Sequence, residues 1–60
     1  MLLRIKSSYF VAGIIIENGT VIQAAPIVGY MIRWRHQRVM DYCRKKRWIL
    51  DVLEIFARSN

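Results

Sequence analysis

The sequence predicts a small α+β fold, and three features of the chain lead to that prediction. Asn18-Gly19 separates two runs rich in apolar and β-branched residues, at about 9–17 and 20–25. This dipeptide favours the type I′ turn of a β-hairpin, because both central residues of that turn need positive φ. Pro26 ends the second run, and a basic segment with helical periodicity follows at about 34–46. The length of 60 residues allows a single small domain.

The two-residue loop fixes the register of the predicted hairpin. The expected pairs are Glu17–Thr20, Ile16–Val21, Ile15–Ile22 and Ile14–Gln23. Both faces of this hairpin are then apolar, whereas a hairpin with water on one face alternates apolar with polar residues. We therefore expect both faces to be covered, one by the chain's own helices and the other by a further strand, a second copy or a partner.

The segments around the hairpin give weaker patterns. Residues 1–6 alternate basic with apolar side chains, as in the frayed start of a strand. Pro26 can open a short apolar helix over 27–34, because the first helical position needs no backbone N–H. Residues 48–56 fit a helix or a strand, and the spacing of Asp51, Glu54 and Arg58 slightly favours the helix.

The helix predicted at 34–46 has a narrow apolar stripe and a basic outer face. At about 100° per residue, the stripe contains His36, Val39, Met40 and Cys43. The opposite side contains Arg35, Arg38, Lys45 and Lys46. An amphipathic helix of this kind packs its stripe on the hairpin and presents its cations to the surroundings.

Residues 33–47 contain seven of the ten Lys and Arg residues and a single acid, so their net charge of +6 equals that of the whole chain. Cations on one helical face pair with phosphates and release counterions, and neighbouring aromatic rings can stack on bases. The candidate binding residues are Arg33, Trp34, Arg35, Arg38, Tyr42, Arg44, Lys45, Lys46 and Arg47. The alternatives are an acidic protein partner, or a face that serves only to keep the chain in solution.

The same sequence argues against several classes of protein. Its one His, one Cys and four carboxylates form no catalytic or metal-binding pattern, so we expect no enzyme, no metal and no cofactor. His36 and Cys43 are expected to be partly or fully packed helix residues. The apolar run before Ile32 is interrupted by Glu17-Asn18-Gly19 and Pro26, which argues against a membrane-spanning helix. A lone thiol fits the cytoplasm, and the small size favours a homo-oligomer.

One set of residues forms a recurring pattern of a hairpin, an Ala-Ala-Pro-Ile segment and a basic helix that ends near a Trp. It comprises Tyr9, Phe10, Ala12, Gly13, Ala24, Ala25, Pro26, Ile27, Tyr42, Lys46 and Trp48. In this pattern the chain resembles a class of short proteins from tailed bacteriophages and prophages. The resemblance covers residues 9–48 and implies a phage setting inside a host cell, without an activity. Relatives carry Gly before the Trp, where this chain has Arg47, and that difference argues against a tight turn there.

Together these features predict a non-enzymatic accessory or regulatory phage protein that binds nucleic acid through a cationic helix. The alternative prediction is a phage-encoded inhibitor, of the anti-CRISPR kind, that docks on a host defence or nucleic-acid-processing protein. In that case the hairpin edge or its second apolar face would make the contact, and the basic helix would meet an acidic groove.

Overall fold

A computed structural model describes residues 1–55 of the chain and confirms the small α+β fold. Four antiparallel strands form one sheet in the order β3-β2-β1-β4. The strands are β1 (Leu2–Lys6), β2 (Val11–Glu17), β3 (Thr20–Ala24) and β4 (Ile49–Glu54). A 3₁₀ helix (Pro26–Met31) and one α-helix, α1 (His36–Lys46), lie between β3 and β4.

Strand β1 lies in the interior of the sheet, between β2 and β4. The alternating pattern of residues 1–6 is that of a strand, as predicted. The expectation that this segment is the frayed start of a strand is wrong, because it forms an interior strand of the sheet. Leu3 and Ile5 are fully buried, and Arg4 and Lys6 point to the other face. The N-terminal ammonium donates a hydrogen bond of 2.8 Å to the carbonyl oxygen of Ile16, which fixes the first residue against β2.

Strands β2 and β3 form a hairpin around Asn18-Gly19, whose φ values of 52° and 75° suit a type I′ turn. Two predicted pairs, Glu17–Thr20 and Ile16–Val21, are present. The other two are wrong, because Ile15 faces Gln23 and Ile14 faces Ala24. Ile22 has no directly opposed residue in β2, so a β-bulge shifts the register beyond it.

Gly19→Ala should lower the free energy of unfolding by about 1 kcal/mol, because alanine is disfavoured at positive φ. An added Cβ would meet no atom within 4 Å, so the cost is that of the backbone conformation alone. Gly29→Ala is the matched control, because its added Cβ also has free space and its φ is not positive. Urea denaturation followed by Trp fluorescence should show a loss for the first variant and none for the second.

The 3₁₀ helix and α1 cover one face of the sheet. The core residues are Leu3, Ile5, Ala12, Ile14, Ile16, Val21, Val28, Met31, Val39 and Cys43. The predicted short helix at 27–34 is thus a tighter 3₁₀ helix that ends earlier, with a kink at Val28. The predicted stripe of α1 is narrower than expected, because Val39 and Cys43 are buried whereas Met40 is exposed.

Residues 49–54 form a strand, so the preference for a helix over 48–56 is wrong and the strand alternative is confirmed. Leu50 and Val52 pair with Ile5 and Leu3 of β1. A bulge after Val52 interrupts the alternation of side chains along β4. Residue 56 and the polar end 57–60 lie outside the described residues.

The second face of the sheet, called the open face here, is covered by no helix of residues 1–55. It carries Val11 and Ile15 of β2 and Ile49 of β4, and a shallow groove of about 520 Å³ crosses it beside Gly13 and Ile22. Only one of the two apolar hairpin faces is therefore covered by the chain's own helices. None of the helices in the described residues has the length and apolar character that crossing a membrane requires.

Candidate nucleic-acid interface

Helix α1 divides its basic residues between two sides. At about 100° per residue, Arg38 and Lys45 lie about 20° apart around the helix axis, and Lys46 lies about 80° from Arg38. Arg44 lies about 120° from Arg38 in the opposite direction. Arg38, Lys45 and Lys46 form what we call the cationic flank of α1, and all three side chains are exposed. The predicted binding residues of the helix therefore do not form one continuous face.

Five aromatic rings pack beside the cationic flank and form an aromatic row. In order along the row they are Phe10, Trp48, Tyr42, Trp34 and Tyr30. The first four rings follow one another at centroid distances of 5.1, 5.5 and 5.2 Å, with steep interplanar angles. Edge-to-face pairs of this kind stabilise a protein beyond the area that they bury. Through these rings the row connects the segment before β2 and the 3₁₀ helix with α1 and with the residues that flank α1 on both sides.

Two cations of the flank lie over rings of the row. The Cζ atom of Arg38 is 3.9 Å from the centre of the Trp34 ring, and Nζ of Lys46 is 5.7 Å from that of Tyr42. Such cation–π contacts contribute about 0.5–1 kcal/mol at exposed sites. They hold the two charges on the surface in defined places. Because the guanidinium covers one face of Trp34, a base could stack on that face only by displacing Arg38.

The segment before α1 pairs with the outer edge of β3. The N–H of Val21 donates to the Trp34 carbonyl at 2.9 Å, and the N–H of Arg33 donates to the Val21 carbonyl at 2.8 Å. Arg35 forms an isolated bridge with Thr20. Arg35 has an extended backbone conformation, whereas Arg33 has a φ of 77° in the left-handed region. Arg33 and Arg35 are exposed, but they lie apart from the cationic flank.

Helix α1 ends in a tight turn at Arg47, so the expectation that this Arg argues against such a turn is wrong. Arg47 has a φ of 62° in the left-handed region. Its N–H donates to the Arg44 carbonyl, and the N–H of Trp48 donates to the Cys43 carbonyl at 2.8 Å. This pair of bonds is the Schellman motif, in which glycine is the usual residue. The turn directs Trp48 back onto Tyr42 and Phe10.

Arg47→Gly should raise the free energy of unfolding by about 1 kcal/mol, because it relieves the left-handed conformation of a residue with a Cβ. Lys46→Gly removes the same charge one residue earlier, inside the helix, and should lower stability by about 1 kcal/mol. Urea denaturation of both variants measures the difference. A destabilised Arg47→Gly variant would show that the Arg47 side chain, and not its backbone, matters for the turn.

The cations of residues 33–47 have no acidic partner in the part of the chain that the structure describes. Within that part the one ion pair joins Arg4 to Asp51 at 3.0 Å, on the open face. Asp41, the only acid of the segment, instead accepts a hydrogen bond of 3.0 Å from the side-chain amide of Gln37. The positive charge of the segment is therefore free to act on a ligand.

The remaining polar groups near the row are structural. Cys43 is buried in the core, as predicted, and burial raises the pKa of its thiol, so the thiol stays neutral and unreactive at neutral pH. Removal from water and a hydrogen bond with the Tyr42 hydroxyl, 3.4 Å away, raise the pKa of Tyr30 to about 12. Tyr30 therefore remains uncharged beside the cationic flank and does not weaken its field.

The structure brings four of the nine predicted residues, Trp34, Arg38, Tyr42 and Lys46, into direct contact with one another, and Lys45 adjoins them. It places Arg33, Arg35 and Arg44 elsewhere, and Arg47 in the turn that ends α1. Tyr30 and Phe10 complete the row but were not predicted as site residues. Tyr30 lies four residues before Trp34, and this spacing could have indicated that the two rings are close. Nothing in the sequence indicates that Phe10 belongs to the site. No family model, no curated protein and no solved structure matches this chain.

Proposed function

We propose that the chain binds nucleic acid without catalysing a reaction, and that the cationic flank of α1 contacts the phosphates. The supporting observation is the set of Arg38, Lys45 and Lys46, which lack acidic partners among residues 1–55 and are partly held in place by aromatic rings. Charges that are already positioned lose less side-chain entropy when they bind. A phosphate backbone offers the matching row of negative charges.

The proposed binding is directed at the backbone and not at the bases. The rings of the aromatic row meet one another edge to face, and Arg38 lies over Trp34. Stacking of bases, which many single-strand-binding proteins use, needs an open ring face. We therefore assign the aromatic row to positioning the cations, and we expect little dependence of the affinity on nucleotide sequence.

The resemblance of residues 9–48 to short phage proteins supplies the proposed setting. In that setting the chain is an accessory or regulatory protein of a tailed bacteriophage or prophage, acting on nucleic acid inside the host cell. A basic protein that coats or marks nucleic acid without reading its sequence fits this role. The genes beside the coding sequence would test the setting independently of any binding measurement.

The salt dependence of binding tests the proposal. Fluorescence anisotropy with a labelled DNA duplex should give an affinity that falls linearly with salt on logarithmic axes. Lys45→Gln should reduce the slope by about 0.9 and the affinity at 0.1 M salt by about tenfold, because one phosphate contact is lost. Lys6→Gln removes the same charge from the open face and is the control. Equal effects of the two substitutions would contradict the assigned surface.

An acidic protein groove is the second candidate ligand for the same flank. Trp34, Tyr42 and Arg38 are packed together, and these three residue types dominate the binding energy of protein interfaces. A phage inhibitor of a host defence protein would use them in this way. Capture of host proteins on the immobilised chain after nuclease treatment separates the candidates. One protein that is retained by the wild type and lost with Arg38→Glu favours the inhibitor.

A further inference from the structure

The two edges of the sheet differ in how much of each is hydrogen-bonded to another segment of the chain. The first part of the outer edge of β3, together with the turn residue Gly19, is paired with the segment before α1 through hydrogen bonds from Val21, Arg33 and His36. Strand β4 forms the other edge, and none of residues 1–55 pairs with its outer side. An unpaired edge presents a row of N–H and C=O groups to any strand that can approach. The sheet therefore has one edge that is paired over its first residues and one edge that is open along its length in the described part of the chain.

Strand β4 has apolar side chains exposed on both of its faces. Val52 is 53% exposed on the side of α1, and Ile49 is 56% exposed on the open face. Leu53 at the bulge and Ile55 just after the strand are also exposed. Natural proteins protect open edges with proline, lysine, other charges or β-bulges. Strand β4 contains neither proline nor lysine, and its protecting features are the bulge after Val52 and the acids Asp51 and Glu54. Four exposed apolar side chains remain beside this edge.

The charges around β4 fit a second copy of the same chain. Strand β4 contains Asp51 and Glu54, whereas the basic residues Lys46 and Arg47 precede its start. In an antiparallel pair the end of one strand lies beside the start of the other. Glu54 pairs with Leu2 and lies on the open face, so it would approach Arg47, in the turn before β4 of the other copy, and not α1 on the opposite face. Two chains of formal charge +6 repel least where their acids lie.

We propose that β4 pairs with β4 of a second copy, in an antiparallel arrangement about a twofold axis normal to the sheet. The two four-stranded sheets become one of eight strands. A rotation about an axis normal to the sheet does not turn the sheet over. Both α1 helices therefore lie on the same face of the dimer. A single strand pair buries less than the roughly 800 Å² per partner of a standard interface, so we expect a weak dimer that dissociates on dilution.

The mass of the chain in solution, measured at increasing concentration, tests the pairing. Sedimentation velocity should show monomer at low micromolar concentration and dimer at about 1 mM. Val52→Lys places a charge at the pairing edge and should keep the chain monomeric over this range. Val11→Lys is the matched control, because Val11 is 61% exposed on the open face but belongs to β2, an interior strand that cannot pair with a second copy. This variant should dimerise as the wild type does.

Amide hydrogen exchange of the wild type gives a second measurement that needs no folded variant. Amides of β4 should exchange more slowly at high concentration, while those of β3 should not change. Three results would overturn the pairing. They are a wild type that is monomeric throughout, exchange in β4 that is independent of concentration, and loss of the dimer with Val11→Lys, which would indicate stacking of two open faces.

Discussion

Replacing Ile5 with alanine should remove a large part of the protein's stability at 25 °C. Ile5 is 0% exposed in the interior strand β1, opposite Ala12 of β2 and Leu50 of β4. Truncating a buried Ile to Ala costs about 2–5 kcal/mol, because the side chain loses its contacts and leaves a cavity. A domain of 60 residues has a total stability of about 3–9 kcal/mol. The loss is therefore a large part of the total, and where the total lies at the low end of its range the variant is mostly unfolded.

Circular dichroism during urea denaturation measures this loss, and Ile49→Ala serves as the control. Ile49 lies on the neighbouring strand β4, but its side chain is 56% exposed on the open face. The same truncation there should cost less than about 1 kcal/mol. Similar losses for the two variants would mean that Ile49 is covered as deeply as Ile5, for instance by the second copy proposed above. Measurements at low and high concentration distinguish these cases.

The hairpin could be predicted from the sequence because its determinants are local. Asn18-Gly19 specifies the turn from two adjacent residues, and the first two pairs beside the turn follow from it. The pairs further from the turn were missed because a bulge at Ile22 has no local signature. The bulge matters for the fold, since it is the point at which β3 changes its alternation between the core and the open face.

The first and last strands along the chain, β1 and β4, could not be predicted as well as the hairpin. Strand β1 pairs with β4 across more than 40 residues, as in the pair Arg4–Asp51, and no local pattern specifies such a partner. The preference for a helix over residues 48–56 rested on the spacing of Asp51, Glu54 and Arg58. The bulge after Val52 places Asp51 and Glu54, three residues apart, on the same face of the strand, so the alternation typical of a strand is lost where a helical spacing appears.

The sequence predicted the basic and aromatic residue types of the candidate site but not their arrangement in space. Charge density alone identified residues 33–47, and the helical period predicted Arg35, Arg38, Lys45 and Lys46 as one group, of which the last three lie together. The position of Arg35 depends on the pairing of its backbone with Thr20, a contact between separate segments that periodicity cannot reveal. The aromatic row likewise needs the fold, because Phe10 meets Trp48 only when β1, β2 and β4 are assembled.

Reversing two charges of the cationic flank should abolish binding to nucleic acid. Arg38→Glu with Lys45→Glu lowers the formal charge by four, from +6 to +2. Two phosphate contacts are lost, each equivalent to about tenfold in affinity at 0.1 M salt, and the new carboxylates repel the backbone. We therefore expect at least about a 100-fold loss in anisotropy titrations with a DNA duplex.

The pair Arg35→Glu with Arg44→Glu decides whether position or total charge is responsible. It produces the same formal charge of +2, but Arg35 lies on the segment beside β3 and Arg44 lies about 120° around α1 from Arg38. If the flank is the binding surface, this pair should weaken binding about tenfold less than the first pair, since only the long-range field changes. Equal losses would mean that any cation of residues 33–47 serves as well as another, and that the packing of Arg38 on Trp34 has no part in binding.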